Sequence, residues 1–312
     1  MTASPSQPAE QPRTRTASHP RRQPPQADPR AQAHKIADAV DEAWHREYGH
    51  GWPEVPVSVV AALSLLAPGD TSHASAALLA LDPAGFAQLV RTQWAAFIRH
   101  RPDLVNRVWP LAKPWYSDPP LPGEALRAAK KTADAAVRAG QLDLTGTHRR
   151  VDADLFGVLL SVLRSRSAKA ARGQFHTPAE VGELMAGMLD LAEQTSIHEP
   201  AAGTGGLLRA AAHAMRQHGQ DPATVTWVAV DTDELSIACL AVNVVLWGLG
   251  HKVLLGVGNG LTDAWTARAE AERQETLALA ESLHASRLAQ RLLTAIAGTP
   301  RAESRAGEGS SG

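Results

Sequence analysis

Between Arg172 and Asp263 short apolar runs alternate with helical stretches, and this alternation restricts the possible folds more than any other feature of the chain. One run ends at His198, a second spans Val225 to Val230 and a third Val253 to Val257. Helices are expected near 178–192, 207–218 and 234–247. Strands that alternate with helices form a parallel sheet with crossover connections, because a tight turn cannot join parallel neighbours. The helix at 234–247 is apolar almost all round (Leu235, Ile237, Leu240, Val242, Val244, Val245, Leu246, Trp247), so both its sides should be buried. Past Asp263 a single alanine-rich helix, roughly 264–297, is expected to close the ordered chain.

The preceding stretch, residues 34–165, reads as an all-helical module. Ile36, Val40 and Trp44 recur at four-residue spacing, and Val57 to Leu66 is apolar until Pro68-Gly69. Phe86, Leu89, Val90, Trp94, Phe97 and Ile98 form a third stripe, and Leu155, Val158, Leu159, Val162 and Leu163 a fourth. A proline-rich loop is expected from Pro110 to Pro122. Residues 1–33 and 299–312 have almost nothing to bury and are expected to be disordered tails.

Lys plus Arg number 31 against 32 Asp plus Glu, so any binding to nucleic acid must rest on a local patch. Cys239 stands alone, which excludes a disulfide framework and a thiolate zinc site, and the histidines show no metal spacing. No apolar run approaches the roughly 18 residues of a spanning helix, and the first residues carry no apolar secretory core. The expectation is a soluble, cytoplasmic protein with no membrane partner and no metal.

The sharpest local signal is Glu199-Pro200-Ala201-Ala202-Gly203-Thr204-Gly205-Gly206-Leu207-Leu208, set between a strand and a helix. Glycines let backbone amides approach a ligand, and the helix directs its partial positive end at the same place. Glu199 offers a negative group beside it. A ligand with both charges is an amino acid moiety, such as the methionine end of S-adenosylmethionine. A bare strand-to-helix turn is the plainer reading of the same residues. A dinucleotide fingerprint would place glycine where Leu208 stands, which argues against a nicotinamide cofactor.

Asp231, at the tip of the second strand, is the candidate for ribose hydroxyls, while Asp233 reads as a helix N-cap. Asn259 after the third strand has two readings, a bond to an adenine edge or a left-handed turn. Upstream, Thr177 and Glu180 have the spacing of a capping box with Pro178 at the first helical position, and Val181, Leu184, Met185, Met188 and Leu189 make one apolar face. Capping does not account for Gly173, Gln174 and Phe175.

Taken together, Gly173 to Pro178, Glu199 to Leu208, Asp231 to Asp233 and Gly258 to Leu261 resemble, in order and spacing, the cofactor motifs of adenine-specific (N6) DNA methyltransferases. The resemblance is to the modification subunit of type I restriction–modification systems, and it covers about residues 150–263. It implies a Rossmann-like S-adenosylmethionine-dependent methyltransferase fold, an α/β class, of which residues 166–263 supply strands one to three. It further implies that Phe175, Thr177 and Pro178 hold the methionine part. Glu199, Gly203 and Gly205 would cradle its amino acid end, Asp231 its ribose and Asn259 its adenine. Glu199, Ala202 and Asn259 stand where the family often has Asp, Cys and Asp.

One family feature is missing. After Asp263 the only proline is Pro300, so no Asn/Asp/Ser-Pro-Pro-aromatic tetrapeptide follows the third strand. That tetrapeptide supplies the acceptors for the adenine amino group and the ring that stacks on the flipped base. Asp118-Pro119-Pro120 resembles it but continues with Leu121, which cannot stack, and Asp-Pro-Pro is also ordinary loop punctuation. The family's sheet has seven strands with the first in the middle. Strand one here would keep an open edge, to be covered by the 264–297 helix, the helical module or a partner chain. For DNA, residues 124–172 carry ten bases against five acids, with Arg164, Arg166, Lys169 and Arg172 leading into the cofactor segment. A solvated helix face explains the same charges. An inactive DNA-binding or assembly module on a methylase scaffold is the alternative to a methylase.

Overall fold

The computed structural model describes residues 27–164, 177–189, 195–262 and 264–297. Its first part is helical: α1 (Pro29–Glu47), α2 (Glu54–Ser64), α3 (Thr71–Ala80), α4 (Pro83–His100), α5 (Val105–Ala112), α6 (Gly123–Arg138), α7 (Gln141–Thr145) and α8 (Leu155–Leu163). Helix α1 starts earlier than its apolar stripe suggests. Asp28 accepts the Ala31 N–H and Pro29 occupies the first turn, so Pro29 to Ala33 are helical rather than part of a tail. The proline-rich loop is likewise shorter than expected. Pro110 lies inside α5, and Pro114 lies in a 3-10 turn, Lys113–Trp115.

One polar node in the module's core ties several helices together. Ser58 is fully buried, donates to the Leu111 carbonyl at 2.6 Å and accepts the indole N–H groups of Trp94 at 3.0 Å and Trp115 at 2.7 Å. Three large elements therefore share one hydroxyl.

The second part alternates as the sequence requires: α9 (Ala179–Met188), β1 (Ser196–Glu199), α10 (Gly206–Gln217), β2 (Thr226–Asp231), α11 (Glu234–Leu246), β3 (Val253–Val257) and α12 (Ala264–Ala297). The three strands are parallel in the order β1-β2-β3, with Glu199 level with Ala229 and Asp231 level with Val257. This is a partial Rossmann-like α/β fold, half of a doubly wound sheet, preceded and followed by helices. Helix α11 joins the two parts. It packs on the sheet from β2 and β3 and on α2, α5 and α8 of the helical module. Its all-round apolar surface is buried accordingly, Val245 alone of the named residues being exposed.

The two sheet edges differ. Helix α12 lies on β3, where a Cβ at Gly256 would meet the Trp265 ring at 2.2 Å, and Arg268 donates to the Val257 carbonyl. It also reaches the helical module through the Arg107–Glu272 ion pair. Neither α12 nor the module pairs with β1, which among the described residues has β2 as its one neighbour strand. Of the three covers expected for that edge, the long helix is therefore ruled out, since it lies on β3 at the other edge. Among the described residues no helix is long and apolar enough to cross a membrane.

Ser58→Ala leaves two buried indole donors without an acceptor. We expect a loss of about 2–4 kcal/mol, read as a lower denaturant midpoint with an unchanged slope.

Candidate functional site

Three loops meet at the carboxyl end of β2, and backbone geometry brings them together. The Ala202 N–H donates to the Val230 carbonyl at 3.0 Å, and the Gly258 N–H to the Asp231 carbonyl at 2.9 Å. The Asp231 carboxylate completes the junction: one oxygen accepts the Gly203 N–H at 2.8 Å and the other the Asp233 N–H at 2.9 Å. The loop after β3 presses on the loop after β1 so closely that a Cβ at Gly260 would lie 2.1 Å from the Pro200 carbonyl oxygen.

Within the glycine loop the two marked glycines serve different ends. Gly203 has φ +52° with nothing within 4 Å of where a Cβ would stand, so its backbone faces open space. Gly205 has φ +95°, and a Cβ there would lie 2.5 Å from Leu240 and 3.0 Å from Trp247. Gly205 thus lets the loop close onto α11 and the helix start. No side chain caps α10, so its first amides keep their donors for another partner.

Beside this loop lies a cavity of about 420 Å³ between the two parts of the chain. Thr177, Pro178, Gly203 and Gly206 form one wall; Val158, Ser161 and Val162 of α8, with Arg30 and His34 of α1, form the other. Val158 and Val162 thus face this space, which explains why the α8 stripe is longer than its core contact requires. Arg209, buried at the floor, donates to Glu183 at 3.0 Å, and Arg30 donates to Glu183 at 2.5 Å and to Glu180 at 2.6 Å. Its hydrogen bond from Arg30 holds the Glu183 carboxyl below the usual range. Asp154, the N-cap of α8, also lines the cavity. Burial pushes its carboxyl above the usual range, although the Thr204 hydroxyl, the Gly157 amide and the Asn243 amide all donate to it.

The anticipated site residues divide into three groups. Thr177, Pro178 and Gly203 line the cavity, with Gly205 directly behind it. Glu199, Asp231 and Asn259 sit at the tips of their strands, outside the cavity wall: Glu199 accepts the Ala201 N–H at 3.1 Å, and Asn259 accepts the Leu261 N–H at 3.0 Å. Asn259 does not have positive φ, so its turn is side-chain-made rather than left-handed. Phe175, with Gly173 and Gln174, lies outside the described residues.

Two local expectations are corrected here. The capping box does not form: α9 begins at Ala179 with Pro178 as its N-cap and no side-chain bond, and Glu180 turns instead to Arg30. The second concerns Arg164, which does not offer its charge to solvent. Arg164 is 7% exposed and its guanidinium meets the Asp233 carboxylate at 2.7 Å, so it faces inward. Lys130 pairs with Asp134, and buried Arg149 donates to the Ala27 carbonyl. Arg127, Lys131 and Arg138 remain exposed, while Arg166, Lys169 and Arg172 lie outside the described residues. Asp118, Pro119 and Pro120 sit on an exposed loop before α6 and are not part of the cavity wall.

Sequence reasoning missed Asp154, Arg30, Arg209 and Asn243. For Asp154 a signal existed: an aspartate directly before an apolar helical run reads as a cap. Its reach to Thr204 required the tertiary fold.

Gly205→Ala combines a left-handed backbone with a steric overlap against Leu240 and Trp247. We expect a loss of about 2–3 kcal/mol, read by chemical denaturation.

No curated protein matches the chain. Residues 149–277, from the turn before α8 to the first half of α12, match the family model of N-6 DNA methylases. The match therefore spans α8, the glycine loop, all three strand tips and the helix laid on β3. By that match, the segment that carries most of this site is similar to the N-6 DNA methylases.

Proposed function

We propose that the chain binds S-adenosylmethionine at the junction of its two parts and acts in adenine-N6 methylation of DNA together with a partner chain. The observation that carries this reading is the cavity against the glycine loop. Gly203 opens onto free space, the α10 amides are uncapped, and Thr177 and Pro178 line the same cavity. The cavity of about 420 Å³ has room for the methionine end, and the strand tips outside its wall would take the nucleoside. Thr177, Pro178, Gly203 and the α10 amides would hold the methionine end. Asp231 would take the ribose: each of its oxygens has one backbone donor and retains a lone pair. Asn259, at the third strand tip, would take the adenine, with Glu199 near the amino group and Phe175 against the methionine chain. Bound there, S-adenosylmethionine supplies an electrophilic methyl group on a sulfonium.

The acceptor side is not supplied by residues 264–312, which contain no Pro-Pro pair. The surface beside β1 is consistent with its coming from elsewhere. Ser196 and His198 are exposed on the edge strand. Helix α9 buries its small face, Gly182 and Ala186, while Leu184 is 66% and Met188 78% exposed. Among the described residues, an unpaired parallel edge and an exposed apolar helix face fit an α/β partner carrying the next strand and the base clamp. The finer likeness to a type I modification subunit, which works within an assembly in a reducing cytoplasm, agrees with that arrangement.

Calorimetry on the purified chain should give heat with S-adenosylmethionine, while labelled methyl should not appear on DNA without a partner. Absence of heat would favour a scaffold; labelled adenine would show that the chain carries its own base clamp. A hydrogen bond to a charged group is worth about 1.5–3 kcal/mol. Asp231→Ala should therefore weaken binding about ten- to a hundredfold. Unchanged affinity would remove Asp231 from the site.

A further inference from the structure

Helix α8 belongs to the helical module, yet its N-terminus is bonded to the glycine loop of the α/β segment. Asp154 makes the connection. Its Oδ1 accepts the Gly157 N–H at 2.9 Å and the Asn243 side-chain amide at 3.2 Å; its Oδ2 accepts the Thr204 hydroxyl at 2.5 Å. Asn243, fully packed in α11, also donates to the Thr204 carbonyl at 2.9 Å. Thr204 lies between Gly203 and Gly205, so its backbone and side chain are both held while its neighbours adopt positive φ.

The approach is too close for any other residue at one helical position. A Cβ at Gly157 would stand 2.4 Å from Asp154 Oδ2 and 2.9 Å from Thr204 Oγ1. Glycine inside a helix costs about 1 kcal/mol relative to alanine. Here it leaves room for the carboxylate and the threonine hydroxyl to meet. The same link borders the cavity, since Asp154, Gly157, Thr204 and Gly206 all line it.

We propose that Asp154 is a positioning residue of the cofactor site: through Thr204 and Asn243 it fixes the glycine loop in the shape that presents its amides to the ligand. The helical module thereby acquires a role as the outer strut of the site. The ligand part of this inference rests on the S-adenosylmethionine reading; the loop-setting part does not.

The test follows amide hydrogen exchange in residues 199–208 of the full chain, without ligand, alongside calorimetry with S-adenosylmethionine and thermal melts. Thr204→Val cuts the link and leaves the α8 cap intact; Asp154→Ala removes both. In Asp154→Asn the oxygen can keep Gly157 and Asn243 while the new amide donates to the Thr204 oxygen, so geometry survives without charge. Exchange should rise about tenfold or more in Thr204→Val and Asp154→Ala, and stay within about threefold of the parent in Asp154→Asn. Affinity should follow the same order, falling about ten- to a hundredfold in the first two variants, with the melting temperature lowered less in Thr204→Val than in Asp154→Ala, which also loses the α8 cap. Unchanged loop exchange in Thr204→Val overturns the proposal, as does an Asp154→Asn variant as damaged as Asp154→Ala. A parent that gives no heat, with exchange altered as expected, refutes the cofactor reading and upholds the strut.

Discussion

One carboxylate at the tip of the central strand determines how the rest of the site is arranged. Asp231 holds the glycine loop with one oxygen, starts the turn into α11 with the other, and takes the β3 loop on its carbonyl. Without that junction, loops from three strands would have no common reference, since each strand is only four to six residues long. Hydrogen bonds from backbone amides to a charged acceptor are shorter and stronger than neutral ones, and several on one group reinforce its position. The junction faces the ligand side of the sheet, where an open α/β sheet binds its ligands.

The helical module then acts on this arrangement from outside. Helix α11, buried on nearly all sides, transmits the module's packing to β2 and β3, while α8 reaches the glycine loop directly through Asp154. Arg30 and Arg209 converge on Glu183 and draw α1, α9 and α10 around the same cavity. The family match begins just before α8 rather than at the first strand. That boundary makes physical sense, because α8 contributes a wall of the cavity and the bond to Thr204.

Much of the fold could be read from the sequence, for identifiable reasons. Strand three, Val253 to Val257, and the helix at 264–297 match their expected limits because buried parallel strands are continuous apolar runs and the long helix is unbroken. The N-cap role of Asp233 is confirmed by its bonds to Ser236. What failed were partner assignments across the chain. Arg164 looked like a phosphate contact because its charge is visible in sequence, whereas its partner Asp233 is a neighbour only after folding. Thr177 and Glu180 had the spacing of a cap, but Glu180 meets Arg30 across the fold instead. The apolar face of α9 was legible as a stripe, but its exposure was not, since periodicity reveals a face without revealing what covers it.

The central claim concerns where the methyl donor sits, and photochemical labelling addresses it directly. S-adenosylmethionine carrying a labelled methyl group would be irradiated with the intact chain, with and without excess unlabelled compound, and the modified peptides mapped. The account predicts competable label confined to peptides containing Thr177–Pro178 and residues 199–206. Label elsewhere, or label that excess compound fails to displace, would contradict it.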